Sequence, residues 1–532
     1  MIKKFWKSES FYLSIVLLFT LIIYTVIINI FPKFYMDDYE IFYDVSRHNS
    51  NWFYINPHNH FFLSLRPISY LKFKLDYILW GTNALGMKFE AIAIHLFLII
   101  IYFKIIVLIS RFLNIKINFK IISLFVLIFS INPDSSIWIF VINNQTELLG
   151  TLFYSLAILS VLKFLIDEPK YYYLIIYLLS YCIAIYSKQQ PLHLPLLIIF
   201  LLMIFKRRIQ QQKYQAVLLF SFLAFILMIF SSYINTHFSI YSLSFWDLMK
   251  KPISAVGIIT YSIFSTYTDY LYYFALLHKT YAIVISVIII LATYYIFLRN
   301  KVNIKPFLLF IIGYIIILYP RIYVGYSERI NSIIIFWSII VLYVIYNKIL
   351  TFNHKPVLPW IYSVLIFSAL IINCMNYNGS FTILEKQTKA LITSLSLSKS
   401  SSPTYIAYGF LPYLIPYELY YEKNRKFGED TDLIVLPITS FLISPIFSHN
   451  FKKPVSFVSD SNNEIEIYVP SSKFTFYPDQ VSKLYNYLRP IALEKKPRGY
   501  AKVKMSVRKI KNHKIRIIYY DGEKWRRVAF SS

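Results

Sequence analysis

Two neighbouring carboxylates, Asp37 and Asp38, follow the first long apolar run of the chain in the stretch Phe34-Tyr35-Met36-Asp37-Asp38-Tyr39. An acid placed where the chain leaves a membrane, among aromatic and apolar neighbours, is partly stripped of water. Its proton affinity rises toward the range useful for general-base work. The plainer reading of such a pair is a helix cap with a surface acid. Arg66, in Leu65-Arg66-Pro67-Ile68, follows in the same stretch, and a guanidinium can grip two oxygens of a phosphate at once. An acid to deprotonate a hydroxyl and cations to hold a departing phosphate are the parts of a group-transfer site.

The elements that must hold these residues are set by composition. Of 532 residues 57% are hydrophobic, 19% aromatic and only 15% charged, too little polar surface for a water-soluble chain of this size. Phe11 to Phe31, Phe89 to Ile109 and Tyr281 to Leu298 are long enough to cross about 30 Å of hydrocarbon as helix, and helix satisfies the backbone there. Alternating segments of a β-barrel are not seen. We read about eleven spans, near 11–31, 89–109, 121–140, 146–165, 171–187, 191–205, 214–232, 279–298, 306–320, 331–347 and 358–375.

Alternate junctions carry Lys3, Lys4 and Lys7; Arg111, Lys116 and Lys120; Lys163 and Lys170; Lys206, Arg207 and Arg208; Arg299, Lys301 and Lys305; and Lys348 and Lys355. The positive-inside rule makes these cytoplasmic, with the N-terminus. The net charge of +27 is therefore a topology signal, and no nucleic-acid partner is expected. The segments 32–88 and 235–279 and everything after Asn376 then face outward, in a plasma (inner) membrane. The expected organisation is a transmembrane domain over 1–376 with the acidic pair in the loop 32–88, a linker over 377–402 with a Ser-rich run at 396–403, and a small extracytoplasmic α+β domain over 403–532. The β-rich runs Asp432 to Pro437, Glu464 to Val469 and Ile515 to Tyr520 belong to that last part. Its basic cluster from Lys495 to Lys514 reads as a solvated or headgroup-facing surface.

Cys182 and Cys374 lie inside apolar runs, and indicate no disulfide framework. Neither a phosphate-binding glycine loop, a metal-ligand spacing nor a nucleophile elbow occurs.

The order of motifs does resemble a known family. An acidic pair after the first helix, then Arg66-Pro67, Leu75-Asp76-Tyr77, Gly81-Thr82-Asn83 and His95 is similar to the C-type glycosyltransferase superfamily (GT-C), nearest its protein O-mannosyltransferase branch. Asn132-Pro133 with Trp138, Gln145-Thr146-Glu147-Leu148-Leu149-Gly150, Ser187-Lys188-Gln189 with Leu194-Pro195-Leu196-Leu197, and Tyr319-Pro320 with Glu328-Arg329 continue the likeness over roughly residues 30 to 340. The chain departs from the pattern at Asn144 or Gln145, where the family has Arg, at Gln189 in place of its acid, at Lys88 and Ala91, and in lacking tetratricopeptide repeats.

The resemblance implies an all-α GT-C fold and a transferase that takes a sugar from a polyprenyl-phosphate carrier, one of its partners along with membrane lipids, and gives it to an acceptor of unknown kind. Asp37 is expected as base with Asp38 orienting it, or the reverse, and Arg66, Lys188 and Arg329 as donor-phosphate ligands. Glu147, His95 and Glu328 support. Glu147 has the plainer reading of a charge paired with Lys188 or Arg329, and His95 that of a hydrogen-bonded packing residue. No metal or cofactor is expected. The alternatives are a transporter or flippase for lipid-linked glycans, whose marks are inverted repeats and polar sites at mid-membrane, and a polymerase or ligase with its basic residues in a later large loop.

Overall fold

The computed structural model describes residues 8–30, 67–132 apart from 82, 138–139, 142–187 apart from 168, 190–238, 284, 332–349, several positions between 360 and 371, and the backbones of eight short strands between 405 and 527. The chain divides into two units, one holding the described helices and the other the strands.

In the helical unit α1 is Glu9–Ile30, α2 Pro67–Trp80, α3 Ala84–Phe112, α4 Phe119–Ser130, α5 Gln145–Ile166, α6 Tyr172–Ser187, α7 Leu194–Phe205, α8 Gln211–Phe238 and α9 Ser332–Ile349. Among the described residues four helices are long and apolar enough to cross a membrane: α1, α3, α5 and the part of α8 over Gln211–Ile229. They are compatible with a multi-pass membrane protein. Shorter apolar helices occupy the positions of three more expected spans. The expected spans 279–298, apart from residue 284, and 306–320 lie outside the described residues.

Burial separates the centre from the rim. The most apolar stretch of α3 is 61% buried and that of α5 56%, against 28% for α1 and 17% for α8. The outer helices turn large apolar side chains outward, Leu18, Ile22 and Val26 on α1 and Leu219, Phe222 and Ile226 on α8. Spacings of three and four residues put each set on one helix face, an apolar stripe that water would penalise and lipid would not.

Three local features set the helix ends near the site. Gly81 has φ +58°, a left-handed conformation that glycine adopts without steric cost, and its N–H bonds Tyr77 O at 2.8 Å, closing α2. Asn83 then caps α3, its side-chain oxygen accepting from Gly86 N at 3.2 Å. Gly86 has no room for a side chain: a Cβ there would lie 2.3 Å from the Trp80 ring, so the indole packs directly on the α3 backbone.

The expected span 121–140 is interrupted: the chain leaves the helix at Ile131 and Asn132, and residues 138–139 are helical again. α4 ends at Ser130, after about 18 Å at 1.5 Å per residue, against side chains from the middle of α1 and α3. Thr20 donates to Ser130 Oγ at 3.0 Å, and Ser130 O accepts from Tyr24 at 2.5 Å and from His95 Nε2 at 3.0 Å. Those donors stand in for the next turn of helix.

In the strand unit one sheet has the order β2-β1-β7-β8 and the other β3-β4-β6-β5. β1 (Tyr405–Gly409) pairs in parallel with β2 (Leu433–Pro437) and β7 (Arg516–Tyr520), and β7 pairs antiparallel with β8 (Trp525–Arg527). The second sheet is antiparallel: β4 (Glu464–Pro470) lies between β3 (Ser456–Ser459) and β6 (Tyr500–Ser506), and β5 (Leu493–Lys496) flanks β6. β2, β4 and β7 fall on the three β-rich runs of the sequence. The rest of the expected α+β domain lies outside the described residues.

Candidate functional site

Charge is distributed unequally between the two ends of the helical unit. At one end Arg111, Lys116, Lys120, Lys170, Lys206, Arg207 and Arg208 are exposed, and cations meet the helix C-termini there. Arg208 donates to Phe112 O at 3.5 Å, and Lys213 to Leu165 O and Asp167 O at 3.0 and 2.8 Å, the sign that terminal carbonyls favour. Lys104 pairs with Glu9 on this side. The opposite end gathers its lysines inward: Lys72, Lys74 and Lys88 are all buried.

Lys72 is the hub of that opposite end. Its ammonium contacts Asp76 Oδ2 at 2.5 Å and Gln145 Oε1 at 2.6 Å, with Glu90 Oε1 at 3.6 Å. Gln145 donates onward to Met87 O at 3.2 Å, and Trp80 Nε1 donates to Glu90 Oε2 at 3.1 Å. Helical spacing puts Lys72 and Asp76 on one face of α2, and the Gly81–Asn83 corner folds Glu90 back toward them. One site is therefore assembled from α2, α3 and the first residue of α5.

Burial is the main reason that Asp76 holds its proton up to about pH 6, above its ordinary 3.8; Lys72 opposes the rise and the Glu90 carboxyl beside it adds to it. Asp76 is 1% exposed, and its Oδ1 has no hydrogen-bond partner. Asn144, just before α5 and also buried, likewise leaves Nδ2 without one.

A second buried polar group surrounds His95. Since Ser130 O can only accept, Nε2 carries the proton and Nδ1 is a bare acceptor, without a hydrogen-bond partner. The imidazole is caged by the rings of Tyr24, Trp138 and Phe129, with centroids 5.4, 5.7 and 6.4 Å away. A third group links Trp337 to Tyr154 at 2.7 Å and Tyr154 to His193 Nε2 at 3.0 Å.

Of the residues singled out in the sequence, Glu147 is buried in the first turn of α5, where the helix N-terminus favours an anion, and His95 is buried on α3. Asp37, Asp38, Arg66, Lys188, Glu328 and Arg329 lie outside the described residues. Sequence reasoning passed over Lys72, Glu90 and Gln145 as functional groups. The available signal was a Lys and an Asp four residues apart, on one face of a largely apolar helix that also carries Lys74. Among the described residues no group of three or more His, Cys, Asp and Glu could hold a metal ion.

Comparison with known protein families and with curated proteins gives no match to this chain.

Proposed function

We propose that the chain is a membrane glycosyltransferase moving a sugar from a polyprenyl-phosphate carrier to an acceptor on the extracytoplasmic face. The observation that carries this reading is the assembly of Lys72, Asp76, Glu90 and Gln145 at the end of the helical unit opposite the exposed cations. By the positive-inside rule that end is extracytoplasmic. The motif likeness read from the sequence supplies the reaction class. About eleven transmembrane helices of GT-C type and an outer α+β domain belong to the same proposal.

In the reaction a carboxylate removes the acceptor's hydroxyl proton, the freed oxygen bonds to the anomeric carbon, and the bond from that carbon to the phosphate oxygen breaks with its electron pair staying on the phosphate. Asp37 or Asp38 is the base, and Arg66, Lys188 and Arg329 hold the phosphate. One described contact supports the pairing of two of these cations. Ser69 Oγ donates to Ser187 O at 2.6 Å, and these serines stand three residues after Arg66 and one before Lys188.

The test is transfer by the full chain in liposomes, supplied with a panel of polyprenyl-phosphate sugars. Wild type should transfer from at least one donor, and Asp37→Asn with Asp38→Asn should lose about 100-fold or more. Full activity in a well-folded double variant rejects those bases, and no transfer from any donor rejects the reaction.

One observation favours the transporter reading: α4 ends against Thr20, Tyr24 and His95, a buried polar site between apolar helices of the kind transporters use. Flipping of a fluorescent lipid-linked glycan without transfer would decide for it.

A further inference from the structure

We propose that Asp76 and Glu90 share one proton beside the Lys72 ammonium, and that this proton latches α2 onto the start of α3. The inference goes beyond the transferase reading and needs neither donor nor acceptor to be observed.

Three residues of α2 converge on one side chain of α3. Lys72, Asp76 and Trp80 stand four residues apart, on one face of the helix over successive turns, and each of them meets the Glu90 carboxyl. Lys72 Nζ lies 3.6 Å from Glu90 Oε1, Trp80 Nε1 donates to Glu90 Oε2 at 3.1 Å, and the Asp76 carboxyl is within hydrogen-bond range of it. Two ionised carboxylates bring only acceptors to such a meeting. Asp76 Oδ1, on a buried side chain, receives no N–H or O–H. A proton on either acid turns the repulsion between them into a charge-assisted hydrogen bond.

Charge favours the shared proton. With both acids ionised the single ammonium of Lys72 faces two negative charges, and with one proton between them the group is neutral, the less costly state away from water. Lys74 on α2, Lys88 and His95 on α3 and Glu147 on α5 are buried as well, yet among the described residues the charges that act on Asp76 are those of Lys72 and Glu90. α6, which also packs on α2, carries tyrosines and Cys182 but no charged residue. Burial, and then Glu90 against the pull of Lys72, keep the Asp76 proton up to about pH 6.

Loss of that proton sets two like charges against each other, and the two side chains differ in where they can go. Asp76 is 1% exposed and Glu90 28%, so Glu90 turns to water and releases Lys72, Asp76 and Trp80 together. What then holds α2 to α3 is the corner at Gly81 and the Trp80 ring on Gly86. In the topology proposed above this end faces outward, and the latch reads external pH, closed below about pH 6 and open above it.

The full chain in nanodiscs would be taken from about pH 5 to about pH 7.5, with infrared difference spectra reporting protonated carboxyls. Hydrogen exchange, corrected for its intrinsic pH dependence, would report residues 67–90. Wild type should lose one carboxyl band with a midpoint near pH 6, and the amides of 67–90 should exchange about tenfold faster above that midpoint than below it. Asp76→Asn should remove the band. Glu90→Gln should lower the midpoint by about one pH unit or more, because its amide donates to the Asp76 carboxylate, and should keep the exchange slow throughout. Should Asp76→Asn fail to fold, Glu90→Gln alone decides. The proposal is overturned if no carboxyl titrates near pH 6, if Glu90→Gln leaves the midpoint in place, which would make Asp76 a solitary buried acid, or if the exchange of 67–90 ignores the titration.

Discussion

The hydroxyl of Ser69 donates to the backbone carbonyl of Ser187 over 2.6 Å, both residues buried. Ser187 is the last residue of α6, so its carbonyl has no partner within the helix, and a side chain from the first turn of α2 supplies one. In the sequence Arg66 stands three residues before Ser69 and Lys188 directly after Ser187.

This contact makes the pairing of those cations testable by chemistry. With Cys182 and Cys374 replaced by Ser, an Arg66→Cys, Lys188→Cys chain treated with a bis-maleimide of about 10 Å span should give an intramolecular cross-link, seen by mass spectrometry after proteolysis. Labelling of both thiols with no cross-link would show that the two positions do not share a ligand.

Breaking the Lys72–Asp76 pair from one side should cost more than removing it. Lys72→Met leaves a buried carboxylate without its cation and should lower stability by about 3 kcal/mol, while Lys72→Met with Asp76→Leu should recover most of that loss. Thermal unfolding in detergent would measure both. An unchanged midpoint for Lys72→Met would mean that the ammonium contributes nothing to the fold.

The raised proton affinity of Asp76 has a definite sign. Between about pH 4 and pH 6 the folded chain keeps a proton that the unfolded chain releases. Stability from this group is therefore complete below pH 4 and lost as pH climbs through 6, by on the order of 2 kcal/mol. Relative to Asp76→Asn, the wild-type unfolding midpoint should fall across that window and run parallel above it. A parallel course throughout would show that Asp76 titrates as an ordinary acid.

Charge asymmetry predicts which side of the membrane each helix end faces. In the cysteine-free background, Asn83→Cys should react with an impermeant maleimide on intact cells, and Lys116→Cys only after permeabilisation. The opposite pattern would invert the topology and move the Lys72 hub into the cytoplasm.

The long helices were legible because an extended, strongly apolar run with few charges admits little other than helix in a membrane, and α1 and α3 lie within about five residues of the expected boundaries. The early stop of α4 was not. Residues 131 to 140 continue the apolar run through Ile131, Ile137, Trp138, Ile139 and Phe140, whereas the groups that receive the helix end, Thr20 and Tyr24, are more than a hundred residues away in sequence. Asp76 stood within a recognised segment, yet its character depends on Gln145 and Glu90 in other helices. Pairings across such separations leave no local pattern.

The stop of α4 at Ser130 has a consequence for how this protein meets bilayers of different thickness. Elsewhere a helix end settles where headgroups begin, and thinner or thicker lipid forces tilt or deformation. Here the last carbonyl is met by a tyrosine and an imidazole and the Ser130 hydroxyl by a threonine, so this end needs no headgroup to satisfy it. Reconstitution in short- and long-chain lipids should shift the tilt of α1 and α8 and leave the surroundings of His95 alone.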